Sequence, residues 1–130
     1  MGWSEAWYQS YLLRQQAPLA LDPQDPDETP EAVLLAYVRE LARQNGYLVY
    51  HTYDSRRSEE GFPDVVLCSL SPGRPLVFAE LKSARGKPTM KQLTWLAALR
   101  RCLRVEAHLW RPADRRAIAR LLQGARKETL

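Results

Sequence analysis

Two apolar runs, Asp64-Val65-Val66-Leu67-Cys68-Ser69-Leu70 and Leu76-Val77-Phe78-Ala79-Glu80-Leu81-Lys82, flank the break Ser71-Pro72-Gly73-Arg74-Pro75. Runs of strand length on either side of a Pro/Gly break predict a β-hairpin. Side chains alternate along a strand, so Glu80 and Lys82 share one face while Leu81 points to the other. If Leu70 opposes Leu76, antiparallel pairing sets Asp64 opposite Lys82 and brings Glu80 to the diagonal position on the same face. A slip of two residues only exchanges which of Glu80 and Lys82 is directly opposite, whereas a slip of one sends Asp64 to the other face. The hairpin thus predicts two carboxylates and one ammonium converging at its open end. Charge at the end of a core strand is costly unless it is paired or metal-bound. Two readings stay open on this evidence: a site that holds a divalent metal against a phosphodiester, or a Lys82 ion pair to Asp64 or Glu80 that closes the hairpin.

The flanking sequence predicts helices around further strands. Thr29-Pro30-Glu31 supplies an N-cap, a proline at the first helical position and an acid in the first turn, opening a helix that runs to about Gln44 before Asn45-Gly46. Its apolar stripe comprises Leu34, Leu35, Val38, Leu41 and Ala42, with Glu31 at the head of the same stripe. Glu31 either complements the helix dipole or supplies a third carboxylate. Tyr47 to Tyr53 reads as a first strand, followed by a polar loop, 54–61, in which Arg56 and Arg57 contact phosphates or are simply solvated. His51, alone on its strand, approaches the site or serves structure. After Lys82 comes a short loop with Arg85 and Lys87. Thr89-Met90-Lys91-Gln92 then has the capping-box pattern of a helix start, and Gln92 shares a stripe with Trp95, Leu96 and Leu99 that faces the sheet. Val105 to Trp110 reads as a last strand, and a final helix runs from about Asp114 to Gln123 with Arg115, Arg116 and Arg120.

Outside this core, Trp3, Trp7, Tyr8, Tyr11 and Leu12 recur at helical spacing over residues 1–17, an aromatic stripe suited to packing or to base stacking. Residues 18–29, with Pro18, Pro23 and Pro26 among acids, read as an extended linker. Residues 30–130 form the one remaining domain. No apolar stretch approaches a membrane span, and the N-terminus lacks the pattern of a secretory signal, so a cytoplasmic protein without a membrane partner is expected. Cys68 and Cys102 lack zinc-site spacing and are expected as reduced core or near-core thiols. The net charge of +4 conceals an asymmetry, because residues 32–130 carry 18 Lys and Arg against 9 Asp and Glu. Such an excess suits a polyanionic partner.

Taken together, Gly61-Phe62-Pro63-Asp64, Glu80-Leu81-Lys82, and Gln92 with Trp95 resemble the motifs of VRR-NUC domains of the PD-(D/E)xK nuclease superfamily. The resemblance spans about residues 30–123 and is to small stand-alone members from phages and bacteria. It implies an α/β fold of restriction-endonuclease type, an αβββαβ core whose mixed sheet is flanked by helices, with extra N- and C-terminal helices. Asp64, Glu80 and the Leu81 carbonyl would bind Mg²⁺ or Mn²⁺ with support from Glu31. Lys82 and Gln92 would contact the attacking water or the scissile phosphate, and Arg56, Arg57, Arg85, Lys87 and Lys91 the nucleic-acid backbone. The implied activity is metal-dependent endonucleolytic hydrolysis of DNA, with four-way junctions among the candidate substrates; symmetric cutting of a junction would need a homodimer. A phage-encoded member would act in the host-cell cytoplasm. Two alternatives remain: a nucleic-acid-binding module that keeps the architecture without chemistry, and an RNA-directed nuclease.

Overall fold

The computed structural model describes residues 30–52 and 57–127. The expected N-terminal helix, the linker and Arg56 lie outside these residues. Helix α1, Pro30–Gln44, carries Glu31 in its first turn and Arg43 in its last, matching acid and base to the two ends of the helix dipole. It buries Leu34, Tyr37, Val38, Leu41 and Ala42, while Leu35 packs only at the border of the core. Gly46 ends the helix at φ +79°, a left-handed conformation that a β-carbon disfavours.

Four strands follow among the described residues: β1 (Tyr47–His51), β2 (Val65–Ser69), β3 (Leu76–Leu81) and β4 (Val105–Trp110). They form one mixed sheet in the order β1-β2-β3-β4, with β1, β2 and β3 antiparallel and β3 parallel to β4. A parallel pair needs a crossover, supplied here by helix α2, Met90–Arg100. A 3-10 turn, Pro112–Asp114, leads into helix α3, Arg115–Lys127. The molecule is thus an α/β fold with an open four-stranded sheet flanked by helices.

The hairpin register departs from expectation by two residues, for Val65 pairs with Ala79 and Leu67 with Val77. Neighbouring turns capture the two tip residues that were expected to pair. The Leu70 N–H donates to the Gly46 carbonyl at 2.8 Å, and the Leu76 N–H donates to the Arg104 carbonyl at 2.9 Å. Parity is preserved, so the faces are as expected and only the direct partner of Asp64 changes.

One face of the sheet presents Tyr47, Val65, Leu67, Val77, Ala79, Leu81 and Trp110 to α1 and to Ile118 and Leu122 of α3, forming the core. On the other face α2 packs its buried Leu96 over the β3–β4 side, where Phe62 bridges Trp95 and Phe78 by edge-to-face contacts at 5.1 and 6.0 Å. Leu48 and Tyr50 on β1 stay exposed. Cys68 and Cys102 are also exposed, contrary to the expectation of core thiols. Cys68 lies on the β2 face that α2 leaves open, and Cys102 follows the end of α2. Among the described residues no helix is long and apolar enough to cross a membrane.

Candidate metal centre

Asp64 stands one residue before β2, and continuing the Val65–Ala79 register places it opposite Glu80. Lys82, one residue past β3, is its diagonal neighbour, and its N–H extends the parallel ladder to the Trp110 carbonyl at 2.9 Å. Asp64 is fixed at both ends: its carbonyl accepts from the Thr52 N–H at 2.9 Å, and its Oδ2 accepts from the Leu81 N–H at 2.8 Å. A strand residue presents its N–H and C=O to the same side, so the Leu81 carbonyl also faces the Asp64 side of β3.

Glu80 is 2% exposed. Its Oε2 accepts from Gln92 Nε2 at 2.7 Å and lies 3.8 Å from Lys82 Nζ. Its Oε1 is buried without a hydrogen-bond partner. A buried carboxylate oxygen left unpaired is costly and calls for an explanation. Burial raises the Glu80 carboxyl to about 8, with the adjacent Asp64 charge adding to the rise; Lys82 opposes it and Glu31 adds a smaller push. Asp64 is also raised, chiefly by burial, against the Leu81 N–H and the Lys82 charge. One lysine does not neutralise the pair, so both carboxyls are pushed toward the protonated form.

The donor set fits a hard divalent cation. It consists of two carboxylates, one of them with an unpaired buried oxygen, and a backbone carbonyl on the same side. Among the described residues no group of three His, Cys, Asp or Glu side chains is placed to hold an ion. Glu31 is exposed rather than part of that set, and its Oε2 accepts from the Ser83 N–H at 3.4 Å. It is close enough to raise both acids without standing between them. A site with so few protein oxygens suits an ion that keeps several waters, as Mg²⁺ does.

Gln92 does two jobs. It completes the capping box of α2, where Thr89 Oγ1 accepts from the Gln92 N–H at 3.1 Å and Gln92 Oε1 accepts from the Thr89 N–H at 2.8 Å. Its amide nitrogen is left to orient Glu80, so the side chain touches a carboxylate rather than open solvent.

The basic residues are distributed unevenly. Arg57, Arg85 and Lys87 are exposed around the centre. Lys91 is exposed too, but its Nζ pairs with Glu60 at 2.9 Å, and that partner raises its pKa. His51 points away from the acids, sharing the core face with Val65, and its Nε2 lies 3.2 Å from Arg39 Nη1. Burial and the Arg39 charge lower its pKa, as suits a neutral structural ring. A cleft of about 330 Å³ opens beside Asp64 and Gln92, bounded by Thr52, Glu60, Phe62 and Met90.

Two supports escaped sequence reasoning. Arg111 Nη1 donates to the carbonyls of Ser83 at 2.8 Å and Gly86 at 2.7 Å, shaping the loop that carries Arg85 and Lys87. Its position just after a strand was visible, but not that this strand lies beside β3. Gly61, at φ +87°, passes so close to α2 that a β-carbon would sit 2.6 Å from the Lys91 carbonyl carbon. The glycine before Pro63-Asp64 was the available signal. No family model, curated protein or solved structure matches the chain.

Proposed function

We propose that this chain is a metal-dependent endonuclease of the VRR-NUC type, with Asp64, Glu80 and the Leu81 carbonyl as ligands for Mg²⁺ or Mn²⁺ and DNA as substrate. The observation that carries this reading is a pair of opposed, largely buried carboxyls of which Glu80 keeps one oxygen without a donor. A purely structural ion pair would be expected to close that oxygen off. A bound divalent cation supplies a more nucleophilic water and neutralises charge on the phosphoryl oxygens.

The residues of the chain divide the remaining work. Gln92 holds Glu80 in one rotamer through its amide, and the Leu81 N–H does the same for Asp64. Lys82, with its amine 3.8 Å from Glu80 Oε2, would offer positive charge to a phosphate held at the site. Glu31 stands at the rim, where its carboxylate adds negative potential without contacting the pair. Arg57, Arg85 and Lys87 provide exposed cations for the flanking backbone. Branched DNA, including four-way junctions, is among the candidate substrates in this reading, and symmetric cutting of a junction would need two copies.

The test uses purified protein with labelled single-stranded, duplex, flap and four-way-junction DNA and an RNA hairpin, each with Mg²⁺, Mn²⁺ or EDTA. Cleavage of DNA that requires the metal and falls on the order of a thousandfold in folded Asp64→Ala and Glu80→Ala is expected, several kcal/mol of barrier. Binding that survives EDTA with no cleavage under any metal selects the non-catalytic module, and cutting of the RNA alone selects the RNA-directed enzyme.

A further inference from the structure

Five arginines gather at the end of the sheet remote from Asp64 and Glu80. Three turns meet there: 43–46 after α1, 69–76 at the hairpin tip, and 99–105 between α2 and β4. Together they contain Arg43, Arg74, Arg100, Arg101 and Arg104 and no Asp or Glu. Their contiguity is set by hydrogen bonds, since Leu70 N–H reaches the Gly46 carbonyl at 2.8 Å and Leu76 N–H reaches the Arg104 carbonyl at 2.9 Å. Glu31, Glu59, Glu60, Asp64 and Glu80 gather at the opposite end, around the candidate metal centre, while Glu106, the second residue of β4, follows the third turn directly and contacts His108 Nε2 at 3.0 Å.

Arg43, Arg101 and Arg104 are exposed and make no ion pair among the described residues. Arg104 occupies a left-handed conformation, φ 60°, where asparagine or glycine would be at ease. Exposed arginines without acidic partners along one end of a sheet suit an extended polyanion. Four strands set the width of this cap at about 14 Å, enough to follow several phosphates of a nucleic-acid backbone. The five steps from Asp64 to Ser69 separate it from the acids by about 17 Å along β2, too far to serve the same phosphate.

We infer that this arginine cap is a second, metal-independent docking surface for a nucleic-acid backbone, engaging a segment distinct from the one at Asp64. The inference rests on the proposed function for the class of partner alone, not for any chemistry. Guanidinium groups suit phosphodiester oxygens because their planar fork donates in pairs.

The experiment measures anisotropy of a labelled DNA duplex in EDTA over a salt series. It compares the parent chain, Asp64→Ala, the single variant Arg101→Gln, and the triple variant Arg43→Gln/Arg101→Gln/Arg104→Asn, in which asparagine suits the left-handed turn. The triple variant should bind at least tenfold more weakly and lower the slope of log affinity against log salt by about 2 to 3; Arg101→Gln should lower it by about 1 and Asp64→Ala not at all. Equal thermal melts establish that the variants are folded, and Arg101→Gln alone decides the matter if the triple variant melts early. A cap-dependent slope in a protein that never cleaves supports the inference while removing the nuclease reading. Parent slopes in both cap variants overturn it, as does a loss confined to phosphatidylglycerol vesicles with DNA binding intact.

Discussion

Glu80 is held where a carboxylate is poorly solvated. Its folded pKa of about 8 lies above the ordinary 4.5, so the folded protein binds this proton more tightly than the unfolded chain does. The resulting stability is present in full below the unfolded pKa, about 4.5, and is lost as pH rises through about 8. Thermal melts in EDTA should fall between those limits, and Glu80→Gln, which carries no charge, should flatten the decline; an identical pH profile for the two proteins would contradict the assignment. Gly61 makes a sharper steric demand. Gly61→Ala meets both the positive φ and the Lys91 backbone, and should lower stability in urea by roughly 1–3 kcal/mol. Period-two alternation made the shared face of Asp64, Glu80 and Lys82 legible from residue types alone. Their pairing was legible only to within two residues, because Leu70 and Leu76 are captured by turns distant in sequence.

Helix α2 joins its own start to the acid pair, since one Gln92 side chain caps the helix with its oxygen and anchors Glu80 with its nitrogen. Gln92→Glu separates the two roles. It keeps the acceptor for Thr89 but sets a second carboxylate against Glu80 at a contact now 2.7 Å long. The proposed cleavage should fall about 10–100-fold, the usual effect of disturbing a residue that orients a metal ligand, with helix content by circular dichroism unchanged. Gln92→Ala should lose helix stability as well, by about 1 kcal/mol in urea titrations. The capping box could be read from Thr89 and Gln92 directly. The Glu80 contact could not, for it depends on which face of the sheet the crossover covers. Arg111 is a similar case: it clamps the Ser83 and Gly86 carbonyls only because β4 runs parallel beside β3, and no local pattern reveals strand order.

Viewed as a whole, the sheet sets the acid pair at one end of its strands and the arginine-bearing turns at the other. Composition revealed the positive excess but not this polarity, which arises from three turns far apart in sequence converging at one end. A cation that binds only the folded acid pair stabilises the entire chain. Mg²⁺ or Mn²⁺ at a hundredfold excess over its dissociation constant should therefore add about 2.7 kcal/mol at alkaline pH. Differential scanning calorimetry should register this as a higher melting temperature that Asp64→Ala abolishes, and an equal rise in that variant would place the ion elsewhere. The opposition of the two acids, meanwhile, is maintained by ladder pairing between β2 and β3 and owes nothing to the length of the connection between them. At Gly73 in that connection, φ is +82° and nothing lies within 4 Å of where a side chain would begin. A reporter peptide or fluorophore spliced there would ride on the outside of the protein, leaving the spacing of Asp64 and Glu80 untouched.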